Sequence, residues 1–454
     1  MKRLTLLISA ILMTGSILMQ AQVYKFDFSI DKKVKDGYIK VTSETLFNNE
    51  RGYGYDLLPS WDGKSNQPFF FSLNVPDGNY KVTVTLGSKK EAASTTVRGE
   101  SRRLFVENLS TKKGEMITET FTINKRNPVI SGKERVSIKE KEKKKLNWDD
   151  KLTLEFNGDL PRVNSLVIER VENIPTVYLC GNSTVVDQDN EPWASWGQMI
   201  PRFFTDQVCI ANHAESGLSA NTFIGGKRLA KILSQIKEGD YLLVEFGHND
   251  QKQKGPGKGA FYSFAYNLKI FIDEARAKGA HPILVTPTSR RRFDENGKSV
   301  NTHGDYPDAV RWVAAKENVP LIELNGMTAI LFNALGVDNS TKAFVHYPAG
   351  TFPGQTRTLK DNTHFSTYGA YEVSKCVIEG MKKADLEIVK YLRPDYSGFD
   401  PAQPDSFESF KWNLGSFTEN EKPDGINELK NIKGDVAKLP SQQNHPRYNY
   451  LWRG

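Results

Sequence analysis

Three cysteines among 454 residues cannot all pair with one another. Cys180, Cys209 and Cys376 each lie in an apolar run, the usual setting of a buried free thiol, so the fold has to rest on its core rather than on a disulfide framework. None of the three stands at a metal-ligand spacing and the seven histidines do not cluster, which leaves no motif for a resident metal or cofactor. Beyond the first 21 residues no apolar stretch approaches the roughly 20 residues of a membrane-spanning helix. A concentrated basic patch is also missing. The net charge of +7 comes from 61 basic residues set against 54 acidic ones and scattered along the chain, which argues against a nucleic-acid partner. The densest cluster, Lys139 to Lys145 with Glu140 and Glu142 interleaved, reads as a solvated loop between two strands. The charge balance is compatible with an acidic polysaccharide as partner. It leaves the oligomeric state open.

Residues 1–21 have the pattern of a secretory signal peptide: Lys2 and Arg3, an apolar stretch from Leu4 to about Met19 interrupted by Ser9, Thr14, Gly15 and Ser16, and the small Ala21 before Gln22. The following position carries no cysteine for lipidation. The expectation is a secreted or periplasmic protein beginning near Gln22, without a membrane anchor.

Residues 22–172 are rich in short alternating or aromatic runs: Tyr24 to Phe28, Tyr38 to Val41, Phe69 to Leu73, Tyr80 to Leu86, Met116 to Ile123, Leu152 to Phe156 and Asn164 to Val171, with a turn signal at Pro76-Asp77-Gly78-Asn79. Strands at such intervals predict an all-β sandwich. No catalytic constellation occurs in it. Trp61-Asp62 and Phe69-Phe70-Phe71 suit either a sugar-stacking surface or, more commonly for sandwich aromatics, the core.

Residues 173–395 alternate strand and helix patterns, with strands at Thr176 to Cys180, Val208 to Asn212, Tyr241 to Phe246, His281 to Thr286 and Pro320 to Leu324. Nearly continuous apolar character marks strands covered on both faces, and β-α alternation implies a parallel sheet in a three-layer α/β/α domain. Phe261 to Lys278 places Phe264, Leu268, Phe271, Ile272 and Ala275 on one helical stripe, with Gly279 as the stop. Residues 396–454 are rich in Pro, Asp, Asn and Ser, yet carry enough aromatic residues to predict an irregular arm packed over the domains.

The chain is organised around Thr176 to Thr184, TVYLCGNST, a buried strand that ends in a tight turn of small polar residues. In open parallel sheets the ligand crevice lies outside the carboxyl ends of the strands. Ser183 stands there after the first strand, Gly217 after the second and Asn249 after the third, while Asp361 and His364 are three apart in a final loop before Ser366, which can cap a helix. A serine needs a base to take its proton, and the base needs a third group to hold its tautomer; Ser183, His364 and Asp361 supply those types. By itself each residue has a plainer reading. Ser183 suits a turn hydroxyl, Gly217 a positive-φ turn, and His248 and His213 structural roles. Asp187, Trp193 and Trp196 can line a cleft, or the two tryptophans can anchor the first helix. Arg290, Arg291 and Arg292 can meet uronate carboxylates or lie in a solvated loop.

GNST at Gly181 to Thr184, the glycine in NHAESGLS at Asn212 to Ser219, GHND at Gly247 to Asp250 and DNTH at Asp361 to His364 resemble, in order, the four sequence blocks of SGNH (GDSL-type) hydrolases. Within them the chain is similar to rhamnogalacturonan acetylesterases, the likeness extending to SWGQMIPRFF at Ser195 to Phe204, EFGHNDQ and TPTSRR. The resemblance implies a flavodoxin-like domain and a serine esterase without metal or cofactor. Ser183 is then the nucleophile, His364 the base and Asp361 its orienter, with the amides of Ser183 and Gly217 and the side chain of Asn249 as oxyanion donors. One departure is Asn182, where the family usually has aspartate. The segment Gly37 to Asp56 with Asn79 to Gly87 resembles galactose-binding-like jelly-roll domains. The substrate implied is an O-acetylated pectic glycan. Acetylated xylan, another glycan or a lipid ester remain alternatives, as does a carbohydrate-binding protein with a degenerate hydrolase domain; the absence of a long apolar lid disfavours lipid.

Overall fold

The computed structural model describes residues 22–31, 33–418 and 422–423, so the leader and the greater part of residues 419–454 lie outside the described residues. The first region is two facing five-stranded sheets. One runs Ile39–Lys40, Val23–Asp27, Val163–Val171, Gly78–Gly87, Met116–Lys125, and the other Tyr53–Asp56, Phe69–Asn74, Lys151–Leu160, Ala93–Gly99, Arg103–Thr111. All neighbours are antiparallel except Val23–Asp27 with Ile39–Lys40. The period of two is clear in Gly78–Gly87, where Tyr80, Val82, Val84 and Leu86 are buried and Lys81, Thr83 and Thr85 face outward. Phe69 and Phe71 meet Phe26 and Phe156 between the sheets. Trp61 stacks on Phe69 at 5.0 Å and is buried, so these aromatics form core rather than a sugar platform.

Three strands of these two sheets escaped the sequence reading, Tyr53–Asp56, Ala93–Gly99 and Arg103–Thr111, as did the separate small hairpin Val129–Ser131 with Glu134–Arg135. Ala93–Gly99 and Arg103–Thr111 bury Thr95, Thr96, Arg98 and Arg103, so polar residues stand where an apolar alternation would have announced a strand. Their outer face is covered by the rest of the chain. Leu104 belongs to the core of the second region, and Thr122 donates to the Val208 carbonyl at 2.5 Å across the junction.

In the second region five parallel strands run in the order Cys209–Asn212, Thr176–Cys180, Tyr241–Glu245, His281–Val285, Leu321–Ile322. Val177 and Leu179 point into one apolar cluster with the helices Trp196–Met199, Leu324–Asn339 and Thr367–Lys383. Tyr178 and Cys180 point into the other with Ala220–Gly225, Arg228–Leu233, Ala265–Ala277 and Tyr306–Glu317. The domain is thus three-layered, and each fully buried Leu, Ile or Phe stabilises it by roughly 1.5–3 kcal/mol. The predicted helix at Phe261 begins with an irregular turn, Ala260–Phe264, and continues as Ala265–Ala277 with Leu268, Phe271, Ile272 and Ala275 inward; Gly279 follows at φ 72°. The three cysteines are buried and unpaired. Among the described residues no helix is long and apolar enough to cross a membrane.

Residues 396–418 cross both regions without helix or strand. Trp412 lies beneath the Arg98 guanidinium at 4.2 Å and donates to Glu191 at 2.8 Å, and Asn157 donates to the Leu414 carbonyl at 2.9 Å.

Candidate active site

The strand Thr176–Cys180 ends at Gly181, where a Cβ would lie 2.4 Å from Val185 and 3.1 Å from the Glu245 carbonyl; only glycine permits so close a turn. The turn is closed by Asn182. Its carbonyl accepts from the Val185 and Val186 amides, both at 3.0 Å, and its Oδ1 accepts from the Thr184 amide and hydroxyl, both at 3.1 Å. The amide oxygen thus does the turn-closing work of a carboxylate, while Nδ2 is buried with no hydrogen-bond partner among the described residues. Ser183 projects from this turn with its own carbonyl held by Gln188 Nε2 at 2.9 Å.

Ser183 Oγ lies 2.9 Å from His364 Nε2, and His364 Nδ1 lies 2.7 Å from Asp361 Oδ2. Asp361 Oδ1 accepts from the Thr363 and His364 amides at 2.8 and 3.2 Å, which pins the carboxylate in the plane the ring needs. Burial alone would raise the Asp361 carboxyl, but the hydrogen bond and charge of His364, the Thr363 amide and the nearby Lys422 hold it well below the usual carboxylate range. Asp361 and His364 lie in a strand, Leu359–Phe365, paired antiparallel with Phe344–Tyr347, where the sequence suggested a loop. The hairpin fixes both side chains on rigid backbone. Ser366 then caps the helix Thr367–Lys383 by accepting from the Gly369 amide at 3.1 Å. Trp193 meets the His364 ring edge-on at 5.8 Å, whereas Trp196 is an anchor inside the core.

Gly217 adopts φ 78° in the turn after Cys209–Asn212. Among the described residues neither the Ser183 nor the Gly217 amide donates a hydrogen bond. Asn249 Nδ2 donates to the Leu218 carbonyl at 2.9 Å and its Oδ1 accepts from Lys252 at 2.9 Å, an arrangement that assigns the amide orientation and leaves one N–H of Nδ2 to spare. Free amides and a tethered carboxamide, carried at the ends of the strand that leads to Ser183 and of its neighbours on either side, are groups of the type a developing oxyanion requires. His248 is a buried link instead, between His303 at 3.0 Å and Thr288 at 3.1 Å, and its burial, the neighbouring His303 and Arg290 push its pKa well down. His213 is buried among Trp148 and Tyr178 and carries neither ring hydrogen bond. Arg290 and Arg291 reach protein carbonyls, with Arg290 on His248 and Thr302 and Arg291 on Val337; Arg292 is exposed.

Several supporting residues were not singled out from sequence. Glu245 ends its strand beside the Ser183 turn and accepts from Trp196 Nε1 at 2.5 Å, Thr184 Oγ1 at 2.9 Å and the Thr288 amide at 3.3 Å. A lone acid closing an apolar run was the available signal. Asp250 clamps the Ala220 and Gly247 amides at 2.8 and 3.0 Å, which sets the loop that carries Asn249. Asp187 does not line a cleft: it is buried, 3.0 Å from Arg103 of the sandwich, and accepts from Asn212 at 2.8 Å. Arg102 donates to the Trp193 carbonyl at 2.9 Å and pairs with Glu191 at 2.5 Å.

The basic segment Lys139 to Lys145 is not a solvated loop. It forms a short 3₁₀ turn, Glu140–Lys144, followed by another, Leu146–Trp148, and is pressed against the second region. Glu142 pairs with Arg228, Lys139 donates to the Ser216 carbonyl, and Lys145 is buried 3.2 Å from Glu215. Between this segment and Gln188, Asp189, Trp193 and Ser216 lies a cleft of about 500 Å³. Among the described residues no group of His, Cys, Asp and Glu could hold a metal ion.

Residues 179–369 match the GDSL-like lipase/acylhydrolase family. The rhamnogalacturonan acetylesterase RhgT of Bacillus subtilis (strain 168) is 43% identical over 218 residues, which cover 48% of this chain and 93% of that protein. The chain belongs to the GDSL-like lipase/acylhydrolase family. A probable rhamnogalacturonan acetylesterase of the same organism, YesY, is 34% identical over 48% of this chain and 96% of its own length. The uncharacterized esterase YxiM of the same strain is 26% identical over 392 residues, covering 81% of this chain and 92% of that one. This GDSL-family protein is a carboxylic ester hydrolase, an acetylesterase.

Proposed function

We propose that this enzyme, a carbohydrate acetylesterase by its relatives, is a secreted serine esterase that removes O-acetyl groups from rhamnogalacturonan, with Ser183, His364 and Asp361 as its triad. The observation that carries the chemistry is the unbroken line of short contacts Ser183 Oγ to His364 Nε2 and His364 Nδ1 to Asp361. His364 Nε2 takes the Ser183 proton as Oγ attacks the acetyl carbonyl. The resulting oxyanion is held by the Ser183 and Gly217 amides and the spare N–H of Asn249. The same proton passes from Nε2 to the departing sugar oxygen, leaving acetyl-Ser183. A water molecule, deprotonated by His364, then attacks the acetyl carbon, and acetate leaves as Oγ regains the proton. Asp361 stays ionised and holds the imidazolium. The sandwich, galactose-binding-like in sequence, serves in this reading as a brace for the nucleophile loop through Arg102 and Arg103.

Acetate release from acetylated rhamnogalacturonan, acetylated xylan and a simple aryl acetate tests the reading, with Ser183→Ala as control. Preference for rhamnogalacturonan with an inactive control supports both chemistry and substrate. Turnover of the aryl ester with no preference for the pectic glycan discards the substrate. No release from any of the three overturns the triad in favour of a binding protein.

A further inference from the structure

Nothing in ester hydrolysis needs the cationic wall that the sandwich lends to the cleft. An acetyl ester is neutral, and the charge that develops on it is met by amides. Yet the cleft is lined by Lys141, Lys144, Lys145 and Lys422 against Glu140 and Asp189, an excess of two positive charges. The wall is fixed in place by contacts with the rest of the chain. Glu142 is shut off from solvent against Arg228, Lys139 reaches the Ser216 carbonyl, Ser137 donates to the Gly226 carbonyl at 3.0 Å, and Lys145 is held by Glu215 and Asp189 at 3.2 and 3.4 Å. Lys145 is therefore spent on protein carboxylates. Lys144 is exposed and Lys141 half-buried; neither has an ion pair among the described residues, Lys141 donating to the Pro423 carbonyl and lying in the field of the buried Glu215 carboxylate. Across the cleft Lys422 pairs with Asp361 at 3.6 Å, and Trp193, which also lines the cleft, meets the His364 ring at 5.8 Å, so the cleft borders the triad.

We propose that the segment Lys139–Lys145 is a glycan-reading wall supplied by the sandwich, in which Lys141 and Lys144 meet the carboxylates of uronate residues flanking the acetylated sugar. This rests on the reading of the enzyme as a polysaccharide acetylesterase. A neutral acetylated glycan gains nothing from the wall, so the wall favours acidic chains. Two lysines at the water-filled rim of a cleft contribute modestly, about three- to tenfold in KM together at low ionic strength, and lose that contribution as salt shortens the screening length.

The test is the double variant Lys141→Gln/Lys144→Gln in the full chain. The expected result is a three- to tenfold higher KM on acetylated rhamnogalacturonan at low salt, a gap that closes at about 1 M salt, and a lower ratio of kcat/KM on that substrate to kcat/KM on the aryl acetate. Calorimetry with an unacetylated galacturonate oligosaccharide is expected to show the matching loss of affinity. A variant that keeps the wild-type KM at low salt and binds the oligosaccharide as tightly as the wild type overturns the wall. The two readings fail separately: a wild type that does not prefer rhamnogalacturonan overturns the proposed substrate, while the oligosaccharide arm still decides whether these lysines read uronate.

Discussion

Arg103 of the sandwich and Asp187, four residues beyond the candidate nucleophile, face each other at 3.0 Å with neither side chain exposed to solvent. The contact pairs charges outside hydrogen-bond geometry. Burial raises the Asp187 carboxyl, opposed by Arg103, by Arg126 and by the hydrogen bond from Asn212. Asn212 passes the constraint back to the nucleophile turn by donating to the Val185 carbonyl at 2.6 Å. The sandwich and the loop that follows Ser183 therefore share an electrostatic joint.

Arg103→Met is expected to leave that carboxylate buried and unpaired, at a cost of about 3–5 kcal/mol. Denaturant unfolding should show the loss, and adding Asp187→Asn should recover part of it. A single variant as stable as the wild type would show that the joint is immaterial.

Glu245 gives a pH signature. Burial pushes its carboxyl from 4.5 to about 7, against the hydrogen bonds from Trp196, Thr184 and Thr288. A carboxyl raised in the fold binds its proton more tightly there than in the unfolded chain, so its contribution to stability is present at low pH and is lost as pH rises from about 4.5 through about 7. Glu245→Gln removes that dependence and, with one acceptor oxygen in place of two, costs about 1–3 kcal/mol at pH 5. The difference between wild-type and variant unfolding midpoints should shrink between pH 5 and 8. A constant difference would mean that Glu245 does not titrate there.

Asn249→Ala should lower kcat by roughly 10² to 10³, the scale of one oxyanion donor, with little change in KM. A rise in KM alone would make Asn249 a substrate-binding residue instead. Asp250→Asn, at a carboxylate that accepts from the Ala220 and Gly247 amides, is a positioning change and should reduce kcat less.

Asp361→Asn should lower kcat by about 10⁴ by favouring the wrong imidazole tautomer while leaving the fold intact. Because Asp361 is held well below the usual carboxylate range, the acid limb of the wild-type kcat/KM profile should show a single ionisation. A second acid-limb ionisation that disappears in the variant would contradict the assignment.

The five parallel strands were legible because both faces of each are covered, so apolar residues run through them without interruption. The polar residues that interrupt those runs at Ser183, Gly217 and Asn249 were legible for the same reason, and the three-residue spacing of Asp361 and His364 suggested a carboxylate beside an imidazole. What stayed hidden has a common cause. Ala93–Gly99 and Arg103–Thr111 bury polar faces because their partners, Glu155, Asp187 and Asn413, come from distant parts of the chain. Lys139 to Lys145 looked like a solvated run because Glu215 and Arg228 lie some seventy residues or more away in sequence.

By itself the sequence determined the five parallel strands, the three-layer arrangement of the second region and the types of residue at the strand ends, since hydrophobic period and turn chemistry act over a few residues. Only the tertiary structure decided that Ser183 and His364 stand within hydrogen-bond reach, that Arg103 braces the nucleophile loop, and that a basic segment of the sandwich walls the cleft. Each of those depends on two surfaces meeting, and the desolvation that turns a scattered charge into a paired one exists only once they have met.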